Sequence, residues 1–145
     1  MVMRSESLYL ETDKFEHREV KEHFINPCCF GEDFAAWLRD QIRDLSSEGY
    51  IIRDPLQEDY GWGFWVEHDG RDFWVALSYA EEGPVQEPAH WVATVAWDAG
   101  FDLLQRFFRP PRLSQFEKLW DRIQGAIRSA PEIKILTENE WRKLA

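Results

Sequence analysis

Trp65 and Trp74 stand symmetrically about an Asp69-Gly70 dipeptide, and the residues around them hold most of the chemistry this sequence offers. Asp-Gly suits a two-residue type I′ turn, whose twist matches that of antiparallel strands. With those two residues as the loop, His68 faces Arg71 and the register follows: Glu67 with Asp72, Val66 with Phe73, Trp65 with Trp74, Phe64 with Val75, Gly63 with Ala76, Trp62 with Leu77. Alternation then divides the side chains between two faces. Tyr60, Trp62, Phe64 and Val66 oppose Phe73, Val75, Leu77 and Tyr79 on a core face. Gly61, Gly63, Trp65 and Glu67 oppose Asp72, Trp74, Ala76 and Ser78 on the other. A cross-strand indole pair stabilises a sheet by roughly 0.2–1 kcal/mol. Beside a floor of Gly61, Gly63, Ala76 and Ser78 it is also a shelf for a partner's side chain, a second copy of the chain or a flat ligand. Glu67 against Asp72 is a like-charge pair, which costs stability unless a cation or a partner sits between them.

A second group is Glu81, Glu82 and Glu87, an acidic loop leading to His90. General acid–base work there would need a pocket and shifted pKa values. His17 and His23 are six apart, which suits neither one helix face nor adjacent positions on a strand face. Three or four convergent ligands are needed for a metal, so no metal site and no cofactor is expected. His68, beside the turn, is expected at the surface. Phosphate loops, dinucleotide fingerprints, zinc-protease helices and nucleophile elbows are absent. Gly61-Trp62-Gly63 lies within a strand and opens no helix, so it reads as close approach of neighbouring atoms to the sheet. Cys28 and Cys29 are adjacent and would close only a minimal, strained loop, so two reduced, buried thiols are expected.

The charge is −10 over 145 residues, and it is uneven. Residues 31–100 carry 15 acids against four bases, whereas residues 101–145 carry six acids against nine bases. The middle of the chain repels nucleic acid and anionic membranes and attracts basic partners. Arg106, Arg109 and Arg112 flank Phe107 and Phe108, a combination that can stack on single strands. The overall charge disfavours nucleic acid, and pairing of these arginines with the acidic middle is expected instead. No apolar stretch approaches the ~20 residues of a membrane span. The polar first residues show no signal or transit character, so a cytoplasmic location is expected.

The elements that must position these residues are legible in outline. Phe34, Trp37, Leu38, Ile42 and Leu45 form one helical stripe, predicting a helix over Glu32–Glu48 closed by Gly49. Phe116, Leu119, Trp120, Ile123 and Ile127 predict a second over Gln115–Arg128, with Ser114 and Glu117 as a capping box. Thr137 to Glu140 repeats that box before a short terminal helix, and Asp102 to Phe108 is a further short candidate. His90 to Trp97 predicts a third strand with Trp91, Ala93, Val95 and Trp97 on one side. Weaker strand candidates are Lys14 to Phe24, Tyr50 to Arg53 and Glu132 to Leu136. Consecutive strands between helices argue for an α+β fold. The expectation is one domain over residues 1–145, an antiparallel sheet of about four to six strands with two main amphipathic helices on one face.

Three functions follow as expectations. The first is a non-enzymatic acidic protein-binding domain, immunity-like or regulatory, using Trp65, Trp74, Glu67, Asp72, Gly61 and Gly63. The second is small-ligand binding or hydrolysis in a Trp-lined pocket near Glu81, Glu82, Glu87 and His90. The third is a homodimer built on the outer sheet face.

Overall fold

A computed structural model of the chain describes residues 2–25, 29–80, 88–98 and 113–144. Among these, seven antiparallel strands form an open sheet: β1 Val2–Glu11, β2 Ile51–Ile52, β3 Leu56–Glu58, β4 Gly61–His68, β5 Arg71–Tyr79, β6 His90–Asp98 and β7 Lys134–Leu136. Their order is β2-β4-β5-β6-β1-β7, with β3 also pairing β4. The helices are α1 Glu32–Gln41, α2 Leu113–Arg128 and α3 Glu138–Arg142, with a 3-10 turn at Arg43–Glu48. The α+β expectation holds, but seven strands exceed the four to six expected. The unexpected strands are β1, whose alternation is masked by Arg4 and Glu6 on its inward face, and the short β3; β2 and β7 fall within the weaker candidates Tyr50 to Arg53 and Glu132 to Leu136.

The hairpin register is the predicted one, from Trp62 opposite Leu77 to His68 opposite Arg71. Asp69 and Gly70 both have positive φ, 49° and 74°, as a type I′ turn requires. On the inward face Trp62, Phe64, Val66, Phe73, Val75 and Leu77 are buried, as are Trp91, Ala93, Val95 and Trp97 of β6. Phe34 and Leu38 of α1 and Phe116, Leu119, Ile123 and Ile127 of α2 complete one buried cluster with them. Both helices therefore cover the same side of the sheet.

Several expectations are corrected. The first helix is α-helical only to Gln41; the 3-10 turn continues it to Gly49, which is left-handed at φ 88°. Ser114 lies inside the first turn of α2 instead of capping it. The Thr137–Glu140 box does form, with both reciprocal bonds present. Lys14 to Phe24 is not a strand: it is an irregular segment tied to α1, where the Asp33 carboxylate accepts from the Glu16 N–H at 2.8 Å. Its His17 is 5 % exposed and lies 3.3 Å from Asp13, so it is a core-edge residue. His68 stacks on Tyr50 at 4.1 Å and meets the Gln115 amide at 2.6 Å, which ties the hairpin end to α2. Cys29 is disulfide-bonded, contrary to the reduced thiol expected; Cys28 lies outside the described residues. So do the predicted helix at Asp102 to Phe108 and the Arg106, Arg109 and Arg112 cluster.

Among the described residues no helix is long and apolar enough to cross a membrane. The turn supplies a direct check of the fold. Gly70→Ala forces a side chain into the left-handed region and should cost about 1 kcal/mol, read as a lower urea midpoint with unchanged slope.

Candidate functional site

Among the described residues, the buried cluster joins α1 and α2 to the inward residues of the sheet, and the rows of the outer face can be read strand by strand. One row runs Trp65, Trp74, Ala96, Ser5, with the Arg53 N–H donating to the Trp65 carbonyl at its end. The next runs Leu56, Gly63, Ala76, Thr94, Ser7. Small side chains fill the middle of both rows. The aromatic residues stand to one side of them.

The indole pair forms as expected, with ring centroids 4.9 Å apart and planes tilted by 51°. Trp74 does not stand beside an open floor, however. A Cβ placed on Gly63 would lie 2.4 Å from its ring and 2.3 Å from the Val75 carbonyl oxygen. A Cβ on Gly61 would lie 2.4 Å from the Leu77 carbonyl oxygen. The glycines are therefore explained by the partner strand's backbone and, at Gly63, by an indole lying over it. The predicted shelf is partly filled by its own wall.

Tyr60 departs from its predicted core-face position. Asp59 and Tyr60 form the tight connection between β3 and β4, so Tyr60 leaves the strand alternation and turns outward. Its hydroxyl accepts a 2.7 Å hydrogen bond from the Trp74 indole N–H. Burial pushes the Tyr60 phenol pKa up, and the Trp74 bond works against that shift. Ile51 is 52 % exposed, Leu56 48 % and Tyr60 50 %, among the few large apolar residues left in solvent. Ile51 shares the outer face with Glu67, and Leu56 shares it with Gly63. Neither was singled out from sequence, because β2 and β3 are too short to show alternation.

The acidic pair is also rationalised. Arg53, placed by β2, forms a 2.5 Å ion pair with Glu67. Burial first, and the Glu67 carboxylate second, push the Asp72 carboxyl above its usual range, while Arg53 pulls it down. The cation anticipated between Glu67 and Asp72 is thus supplied from within the chain, though it contacts only Glu67.

Glu81, Glu82 and Glu87 lie outside the described residues. His90 is described: its Nε2 is 3.1 Å from a Glu11 carboxylate oxygen, and the Trp141 ring meets it edge-on at 6.2 Å. Trp141 also stacks on Tyr9 at 4.9 Å, so His90 belongs to the far flank of the outer face. No group of three metal-binding side chains converges among the described residues. Comparison of the chain with family models, with curated proteins and with solved structures gives no match.

Two substitutions check this geometry. Gly63→Ala must displace the Trp74 ring or the β5 backbone. It should cost about 1–3 kcal/mol and shift the tryptophan fluorescence. Asp72→Asn should raise the melting temperature at neutral pH. The raised folded-state pKa means that ionised Asp72 opposes folding above the ordinary Asp range. The gain should shrink as pH falls through that range and both states of the wild type become protonated.

Proposed function

We propose that this chain is a non-enzymatic, cytoplasmic protein-binding domain that receives a basic protein partner on the Trp65–Trp74 face. One observation supports this reading above the others: the exposed apolar residues Ile51, Leu56 and Tyr60 gather on the side of the sheet that bears the indole pair, inside a rim of Glu58, Glu67 and Asp72. Interfaces favour an aromatic centre with a polar rim. The two half-buried indoles offer rigid apolar area at low entropic cost, and their faces attract arginine or lysine. The rim carboxylates attract the same side chains and steer their approach.

Gly61 and Gly63 serve this reading indirectly. Gly61 admits the backbone of β5, and Gly63 lets the Trp74 ring rest over it, which fixes the ring before a partner arrives and lowers the ordering cost of binding. Asp72 adds a pH dependence. A partner cation would stabilise its ionised form, so binding should release a proton and strengthen as pH rises through the carboxylate range. A small acidic module of this kind could act as an immunity-like or regulatory protein that neutralises a basic effector, an analogy resting on size and charge.

The test is affinity capture from native extract followed by substitution. The captured protein should be basic, and its retention should fall between about 50 and 500 mM salt. Trp65→Ser combined with Leu56→Ser should leave folding intact by circular dichroism and weaken binding at least about tenfold. A captured protein that is acidic, or one that binds the double variant equally well, would contradict the proposal.

A further inference from the structure

The long edge of β1 offers a second interaction surface, separate from the indole face. Thr12 N–H donates to the Ala89 carbonyl at 2.9 Å, extending the β1–β6 ladder beyond its Glu11–His90 pair. Hydrogen-bonding direction alternates along a strand. From Arg4 onward, even-numbered residues of β1 therefore bond to β6, and odd-numbered residues present their N–H and C=O to the opposite side. There Tyr9 and Glu11 face Leu136 and Lys134 of β7. Strand β7 ends at Leu136. Among the described residues no strand continues it, so the backbone groups of Ser7 and Ser5 point into a cleft of about 440 Å³ lined by Ser5 to Tyr9, Leu136 and Glu138.

We infer that this edge pairs with the same edge of a second copy, antiparallel about a two-fold axis at Ser5. The charges select both partner and register. Arg4 and Glu6 are two residues apart on one face, so setting Ser5 against Ser5 places Arg4 opposite Glu6 of the other copy, twice. Setting Ser5 against Ser7 would place Glu6 opposite Glu6. Setting Ser7 against Ser7 would require Tyr9, whose edge β7 already occupies. Only the first register is both open and charge-complementary. Arg4 is held over the Phe116 ring at 4.6 Å and lies 3.8 Å from Glu117, so its guanidinium is placed before the second copy arrives. Ser5 and its counterpart exchange two backbone hydrogen bonds, and the regular ladder ends before residue 3, where β1 shifts register against β6. The ladder is short, so the dimer is weak and concentration-dependent.

Sedimentation velocity from about 10 μM to 1 mM tests this, a range that brackets weak self-association. The wild type should pass from monomer to dimer. Glu6→Arg should weaken dimerisation about tenfold or more, because both cross-strand pairs become repulsive. Arg4→Glu should do the same, and an equimolar mixture of the two variants should dimerise, since each supplies the charges the other needs. Ser5→Pro removes an N–H that points away from β6, so it should abolish the dimer and leave the folded monomer. If Arg4→Glu fails to fold, Glu6→Arg and Ser5→Pro decide the question. A wild type that stays monomeric, even one that adds a strand from another protein, overturns the inference. So does a dimer that survives Ser5→Pro and Glu6→Arg, or one lost in Trp65→Ser and not in Ser5→Pro.

Discussion

The Asp69-Gly70 turn holds two consecutive residues at positive φ, and the rest of the sheet takes its phase from that turn. A two-residue loop allows one register, and in a strand a slip of one position exchanges the two faces. With the observed phase, Phe64, Val66, Phe73 and Val75 meet the apolar stripes of α1 and α2. Strand β6 follows from β5, and β1 follows from β6; on the inward side Phe73 meets Trp97, Val75 meets Val95 and Leu10 meets Trp91. Burial of each aromatic side chain removes a large apolar area from water, at about 25 cal/mol per Å². The helices thus secure a choice of face that the turn has already made.

On the outer side the same phase brings together residues of opposite character. Trp74 lies over Gly63 and is anchored by Tyr60, whereas Trp65 has the end of the row to itself beside Arg53. Stability and recognition draw on the same rings here. Covering Gly63 shields an otherwise bare stretch of backbone, and the exposed surface of the indoles remains for a partner. This is why the glycines, which suggested an empty floor, instead mark where an indole and the neighbouring strand come closest.

The electrostatics show a comparable division. Most ion pairs lie in solvent, where each contributes little. Arg122 with Asp44, and Lys118 with Glu48, nevertheless fasten α2 to the 3-10 turn at several points. Arg53 matters for a different reason: it partly neutralises an acidic pair that the hairpin forces into apposition. At the other side of the sheet, Arg4 and Glu6 keep the inward face of β1 polar near its start, where the strand edge is also open. Charged residues at sheet edges commonly discourage uncontrolled pairing. Spaced two apart and opposite in sign, they do so for most registers and favour one.

Local rules were enough to read some of this from the chain. The turn, the β4–β5 register, the inward residues of β6, the two helical stripes and the Thr137 cap all depend on neighbours within a few positions, so their signals survive in one dimension. Helix α1 was overextended because a 3-10 turn keeps nearly the same apolar spacing while tightening the backbone. Strand β1 was missed because its place is decided by pairing with β6, some eighty residues away, and not by its own alternation. The outward turn of Tyr60, the indole resting on Gly63, the Arg53–Glu67 bond and the burial of His17 were settled by contacts between distant segments. Sequence by itself determined which residues could share a face; the tertiary structure decided which of them touch, because long-range packing fills space that periodicity cannot describe.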